Sequence, residues 1–165
     1  MPGNDRASSA VPREQQVADY ERLMQNRSGK IAQSILRNQQ SVSELHFTHG
    51  RQVVERYNVK GALQMACDGY EPLFADWLPL YRSLEGDEWR LQKTLLRIMS
   101  TLDDTCVIHR AGYDRAQEVK REAAALLEIP GHLKEMCSRY AAEGISPGGA
   151  ADMLALTIFI DSILN

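Results

Sequence analysis

A run of apolar residues at helical spacing constrains the fold of this chain more than any other feature. Intervals of four, three and four residues separate Leu91, Leu95, Ile98 and Leu102. This spacing places them on one face of a helix that begins at Asp87. The same face continues to Cys106 and His109, which are therefore predicted to point inward, and Gly112 is predicted to end the helix.

Other segments of the chain also have a helical pattern. Helix-forming residues and apolar spacing predict helices at 13–37, 48–57, 114–128, 131–142 and 150–164, and several Gly and Pro residues predict short, angled helices at 61–85. No stretch alternates between apolar and polar residues for long enough to predict a β-strand, so the predicted fold class is all-α. Because residues 150–164 are apolar on almost every side, they are predicted to form the central, buried helix of a bundle.

The length and charge of the chain suit one globular domain and do not indicate nucleic acid or a membrane surface as a partner. Its 165 residues include 19 Lys and Arg and 22 Asp and Glu, which are mixed along the helices and give a net charge of −3. Residues 1–12 contain no apolar run suited to a signal sequence or a membrane span. They are predicted to be a flexible leader before a single helical domain at 13–165. An odd number of cysteines without a CxxC pair favours a reducing cytoplasm.

The start of the last helix carries a motif that suits an anion. Ser146 is a helix-capping residue type, and Pro147 after it favours the first helical turn. Gly148 and Gly149 then leave backbone N–H groups uncovered at the positive end of the helix dipole, an arrangement that binds phosphate. An ordinary turn followed by a helix cap explains the same residues, and the spacing alone favours that simpler interpretation.

Asp152 lies on the stripe of the last helix that also carries Leu156, Phe159 and Ile163. This stripe is otherwise predicted to be buried, and a buried carboxylate needs a partner because its desolvation is unfavourable. Capping of the helix N-terminus would provide one. The functional alternative is a magnesium ligand or a general base beside bound phosphates.

A second polar cluster closes the helix that has the clearest apolar face. His109 and Arg110 lie in its last turn, where a core histidine and an arginine that compensates the helix dipole would explain them without a function. Asp104 comes five residues before His109, which on a regular helix leaves the two apart around the axis. They therefore serve different parts of a site, or the helix is distorted between them. His46 and His49 lack the flanking pattern of a zinc motif and are not predicted to bind metal.

Together, the two clusters resemble the triphosphoribosyl-dephospho-CoA synthase family, whose enzymes make the prosthetic-group precursor of citrate lyase and malonate decarboxylase. The family pattern Asp-Thr-Asn-Val-Leu-His-Arg-Gly-Gly is similar to residues 104–112. The pattern Ser-Pro-Gly-Gly-Ser-Ala-Asp-Leu-Leu-Ala-Val-Thr is similar to residues 146–157. Order and separation agree, and a weaker similarity at 48–70 extends the resemblance over most of 13–165.

This resemblance implies an all-helical, cytoplasmic enzyme that joins ATP and 3′-dephospho-CoA and releases adenine. The implied catalytic residues are His109, Asp104 and Asp152, of which His109 would donate a proton or hydrogen bond to the departing adenine. Arg110, Ser146, Gly148 and Gly149 would bind the triphosphate. Mg²⁺ would accompany ATP, with Asp152 and Asp104 as its ligands.

The chain also departs from the family pattern. It resembles only the C-terminal portion of a longer family and lacks the N-terminal motifs. Leu63 and Met65 stand where the family has arginine and glutamate, Cys106 replaces an asparagine, and Ala111 replaces a glycine. We therefore expect one part of a split or truncated enzyme, partnered by a complementary N-terminal half or by itself. The alternative is a catalytically degenerate helical paralogue that acts as a nucleotide-binding or protein-interaction module.

Overall fold

The computed structural model describes residues 49–127 and 133–164, together with Ala18, Arg22, Asn26, Arg27 and Lys30. These five single residues are helical and exposed, in agreement with the helix predicted at 13–37. The rest of that prediction and the predicted leader at 1–12 lie outside the described residues.

Most of the described residues are helical, and none of them belongs to a strand. In chain order the helices are α1 (His49–Tyr57), α2 (Ala62–Cys67), α3 (Leu78–Ser83), α4 (Asp87–Thr101), α5 (Thr105–Ala111), α6 (Tyr113–Leu126), α7 (Leu133–Ala142) and α8 (Gly148–Leu164). One π-helical turn, Leu73–Trp77, leads directly into α3. The predicted all-α class is confirmed, as are the short helices predicted at 61–85.

The hydrophobic core lies where α4 packs against α6 and α8. Leu96 and Ile98 of α4 and Ile160 of α8 are almost fully buried there. Trp77 of the π-helical turn is 1% exposed and donates a hydrogen bond from Nε1 to Thr101 Oγ1, at 3.2 Å. The core therefore extends from the short helices to the C-terminal helix.

The single helix predicted from Asp87 to Gly112 is wrong, because the chain breaks between α4 and α5. Leu102 leaves α4 with extended backbone angles, and Asp104 has φ −71° and ψ 103° as the N-cap of α5. The Asp104 side chain accepts hydrogen bonds from the backbone N–H groups of Cys106 and Val107, which follow it in the chain. These bonds favour the start of a new helix over continuation of α4. The new start changes which residues face the core. Cys106 and His109 are exposed, contrary to prediction, and Val107 and Ile108 are buried instead.

The C-terminal helix α8 packs against α3, α4, α5 and the π-helical turn, and its burial is confined to one face. That inner face consists of Ala150, Met153, Thr157, Ile160 and Leu164. The predicted burial of the opposite stripe is wrong, since Asp152 is exposed and Phe159 and Ile163 are 56% and 41% exposed. Apolar composition alone does not distinguish the two faces of such a helix. Among the described helices, none has both the length and the apolar character needed to cross a bilayer.

Candidate functional site

Asp104 joins the N-termini of two helices that are distant in the sequence. Its Oδ1 accepts hydrogen bonds from the backbone N–H groups of Cys106, at 2.9 Å, and Val107, at 3.4 Å. Its Oδ2 accepts one from the N–H of Ala150 in the first turn of α8, at 2.9 Å. The residue is only 8% exposed, and the positive ends of two helix dipoles compensate its charge. The two motifs identified in the sequence therefore meet at one buried carboxylate.

Close packing explains the two glycines at the start of α8. A Cβ on Gly149 would lie 3.0 Å from Oδ1 of Asp104 and 3.1 Å from its Cγ. A Cβ on Gly148 would lie 3.3 Å from Sγ of Cys106. The glycines therefore allow α8 to approach the start of α5 closely enough for the Asp104 contacts to form.

The first backbone N–H groups of α8 already have partners within the chain. Gly148 donates to the carbonyl of Ser146 at 2.9 Å, and Ala151 donates to that of Pro147 at 3.0 Å. Ala150 donates to Asp104, and the N–H of Gly149 lies near enough to the Cys106 thiol to lower its pKa. A phosphate at this terminus would have to share or displace these contacts, so the sequence prediction for Ser146, Gly148 and Gly149 stays a prediction.

The Cys106 thiol lies among the charged groups predicted for the site. Although the residue is exposed, neighbouring atoms partly desolvate the thiol, which raises its pKa, and the negative charges of Asp104 and Asp152 add to this effect. The N–H of Gly149 and the charge of Arg110 oppose the rise without cancelling it. A raised pKa keeps the thiol protonated at neutral pH, where it is a poor nucleophile. Asp104, Arg110 and Asp152 thus all act electrostatically on one group, and Cys106 itself is no candidate nucleophile.

Arg110 and Asp152 differ from Asp104 in their accessibility. Both are exposed, and neither forms an ion pair with another described residue. Among the described residues, no group of three or more His, Cys, Asp and Glu side chains could hold a metal ion. Metal binding at this site would therefore need ligands beyond the carboxylates of this part of the chain.

His109 stacks on His49, a contact that the sequence did not indicate. The ring centroids lie 4.1 Å apart with an interplanar angle of 24°, and both residues are exposed. His49 is the first residue of α1, and His109 lies in the last turn of α5. No local pattern relates two residues so far apart in the chain, and sequence reasoning considered His49 only as a zinc ligand.

A network centred on Glu122, also missed in the sequence, joins α6 to α7. Glu122 accepts hydrogen bonds from Tyr140 and Arg139, both at 2.7 Å, and from Arg115 at 3.0 Å. Burial alone would raise the pKa of Glu122, but these donors outweigh it and lower the pKa below its ordinary value of 4.5. Burial and the bond to Glu122 raise the pKa of Tyr140. These contacts connect α6 to α7 and include no residue of the two motifs at 104–112 and 146–157, so we assign this network to stability.

Comparison with known proteins supports the resemblance seen in the two motifs. Residues 6–165 match the model of the CitG family, described as ATP:dephospho-CoA triphosphoribosyl transferase. No solved structure matches the chain.

Curated relatives carry the name probable 2-(5″-triphosphoribosyl)-3′-dephosphocoenzyme-A synthase. The chain is 38% identical to that of Pseudomonas savastanoi pv. phaseolicola over 128 residues and 40% identical to that of Pseudomonas paraeruginosa over 128 residues. It is 35% identical to that of Azotobacter vinelandii over 130 residues. Each match covers 70% of this chain and 44% of the relative. The chain thus spans less than half the length of these relatives.

Proposed function

We propose, given that this chain belongs to the ATP:dephospho-CoA triphosphoribosyl transferase family, that it supplies part of an enzyme joining ATP to 3′-dephospho-CoA with release of adenine. One observation carries the proposal beyond the family match. Asp104 of the first motif accepts a hydrogen bond from Ala150 of the second, and Arg110 and Asp152 both act electrostatically on Cys106. A nucleotide site of this kind needs cationic and acid–base groups close together.

The proposed reaction is a displacement at the anomeric carbon of the ATP ribose. The 2′-hydroxyl of dephospho-CoA forms the new bond to this carbon, and the bond to adenine breaks. The hydroxyl loses a proton to a base, and the departing adenine gains one, so atoms and charge balance. Because the transition state resembles an oxocarbenium ion, both proton transfers must be well positioned.

The geometry favours different tasks for the two aspartates. Asp104 accepts three backbone N–H bonds and is 8% exposed, which suits it to hold α5 and α8 together. Asp152 is exposed, two residues after the Ala150 that contacts Asp104, and suits contact with substrate as a base or a magnesium ligand. Arg110 would balance the triphosphate charge. His109 would donate the proton or hydrogen bond to adenine.

Asp152 fits magnesium better than Asp104 does. Mg²⁺ is commonly held by one or two carboxylates together with substrate phosphates, so a single exposed carboxylate suffices. The Asp104 oxygens already accept three hydrogen bonds, which leaves little capacity for a metal. Bound with ATP, the ion would neutralise part of the triphosphate charge.

The proposed partner is the portion of the family's fold that this chain does not match. More than half of each relative's length lies outside the match, which covers 44% of the relatives. Phe159 and Ile163, both exposed, form an apolar patch on the stripe of α8 that carries Asp152. A polypeptide packed on this patch would reach the edge of the site.

We further propose a cytoplasmic location and a role in making the prosthetic group of citrate lyase or malonate decarboxylase. Cys67, Cys106 and Cys137 are unpaired thiols, which suits a reducing compartment. The pathway rests on the family resemblance.

The test is adenine release in a reconstituted mixture. The chain is combined with the unmatched portion of the P. savastanoi synthase, ATP, Mg²⁺ and 3′-dephospho-CoA, and free adenine is measured by liquid chromatography. We expect release in the complete mixture and a loss of at least about tenfold with Asp152→Asn. Asp161→Asn is the matched control, because Asp161 lies on the same helix but pairs with Arg82 at 2.7 Å. No adenine from the parent mixture would refute the function, and full activity of Asp152→Asn would remove Asp152 from it.

One observation favours a second candidate, a nucleotide-binding module without catalysis. Met65 stands where the family pattern has a glutamate, and it is 6% exposed in the hydrophobic core. The position at which the family pattern has a glutamate is therefore occupied here by a buried apolar side chain, which cannot take part in acid–base chemistry. This candidate predicts calorimetric binding of ATP to the complete mixture without any release of adenine.

A further inference from the structure

Two stacked aromatic pairs attach α1 to the corner between α5 and α6. His49, at the start of α1, stacks on His109 with centroids 4.1 Å apart. Tyr57, at its end, stacks on Tyr113 with centroids 5.1 Å apart and an interplanar angle of 11°. His109 and Tyr113 lie on either side of Gly112, where the backbone turns with φ 86°. Both ends of α1 are therefore held against the same corner.

Packing of α1 on α5 places His49 against His109. A Cβ on Gly50 would lie 3.6 Å from Oγ1 of Thr105, so the first turn of α1 lies beside the first turn of α5. Thr105 and His109 are one helical turn apart and share a side of α5. Because Gly50 lies beside Thr105, the neighbouring His49 lies on the same side of α5 as His109, and the two rings can stack.

We infer that His49 is a positioning residue for His109, an inference that rests on the proposed function. The nitrogens of an imidazole lie in the ring plane, so a ring stacked on its face leaves them free to donate and accept. The same contact restricts tilting of the exposed His109 ring, which would otherwise occupy several rotamers. Holding a proton donor in one orientation increases the fraction of complexes that can react. His49 itself does not touch the reacting atoms.

The stack can be tested without any activity. The imidazole carbon-bound protons of the chain's four histidines are assigned by single His→Gln variants, and the His109 signal is followed by proton–carbon NMR. We expect His49→Ala to move this signal toward the position of an unstacked histidine, and His49→Phe to keep it displaced. Tyr57→Leu is the control, since it removes the other stack and should leave the His109 signal in place. An unchanged His109 signal in His49→Ala would overturn the inference.

The same variants separate positioning from chemistry in the reconstituted adenine-release assay. We expect His49→Ala to lower kcat about tenfold with KM for ATP within about twofold of the parent value. His49→Phe should restore most of kcat, because a flat ring is retained without its nitrogens. Equal losses in His49→Ala and His49→Phe would overturn a positioning role. If the parent mixture releases no adenine, the proposed function fails, and the NMR result still decides the stack.

Discussion

Two partly or fully buried carboxylates in this molecule are held by different kinds of donor. Asp104 accepts only backbone N–H groups, at the starts of α5 and α8. Glu122 has a side chain that is 30% exposed, and it accepts from the side chains of Arg115, Arg139 and Tyr140. Long side chains can turn toward water when their partner is lost, whereas helix N–H groups cannot. Loss of Asp104 should therefore disturb the site, and loss of Glu122 should only weaken one contact between helices.

The largest difference is expected between Asp104 and its neighbour Asp103. Asp104→Ala leaves N–H groups at two helix starts without an acceptor and should lower the free energy of unfolding by about 3 kcal/mol. Asp103→Ala removes an ion pair with Lys120 at 2.7 Å, in which both side chains are partly exposed, and should cost less than about 1 kcal/mol. Urea denaturation followed by circular dichroism measures both. Equal losses would show that the amide contacts of Asp104 contribute little.

A smaller difference is expected between the two adjacent glycines of α8. Gly149→Ala places a methyl group 3.0 Å from the Asp104 carboxylate, which must move away from the Ala150 N–H. This crowding should lower the free energy of unfolding by about 1 to 2 kcal/mol. Gly148→Ala meets only the movable thiol of Cys106 at 3.3 Å, and the better helix propensity of alanine, up to about 1 kcal/mol, should offset the contact. Denaturation midpoints of the two variants check the order, and a less stable Gly148→Ala would reverse it.

The smallest effect is expected at Glu122, and it should depend on pH. The folded pKa of Glu122 lies below 4.5, so its contribution to stability is present above pH 4.5 and is lost as the pH falls through the folded pKa. In Glu122→Gln, the melting temperature should therefore fall less at acid pH than in the parent chain. At pH 7 the substitution should lower the free energy of unfolding by less than about 1 kcal/mol.

Tyr140→Phe gives a second measurement of the same contact. It removes the hydroxyl that donates to Glu122 at 2.7 Å and so should raise the pKa of Glu122 toward its ordinary value. The acid-side decrease should then be smaller than in the parent chain and be complete at a higher pH, because the folded and unfolded pKa values of Glu122 lie closer together. Melting curves from pH 3 to pH 7, roughly the range over which a carboxylate near its ordinary pKa changes charge, follow both variants. Acid-side curves identical to the parent's in both would mean that Glu122 does not contribute.

The helices could be predicted from local pattern far better than the faces they bury. The start of α4 at Asp87 and the end of α5 at Gly112 are both confirmed. Capping residues and glycine determine helix ends through contacts within a few residues, so a local pattern can predict them. The break at Asp104 was missed, since a continuous apolar spacing across it resembles one long helix. That one error reversed the predicted orientation of Cys106 and His109.

Sequence motifs indicated the family and a set of candidate site residues, whose roles stay a prediction, but they did not indicate the contacts. The order and content of two motifs indicated the family, which the match over residues 6–165 now shows. The spacing could not reveal that the Asp104 side chain caps α8, because a cap normally comes from the residue just before its own helix. The stack of His49 on His109 and the Glu122 network were likewise invisible, since each joins residues from different helices.

The amino-acid sequence alone determined the all-α class, the positions of most helices and the family, because each depends on patterns within a few neighbouring residues. Tertiary structure decided which faces are buried and which polar groups meet. Helix packing places Asp104 between two helix N-termini and leaves Asp152 exposed. A carboxylate takes its role from the donors around it, and those donors are brought together only when α5 and α8 pack.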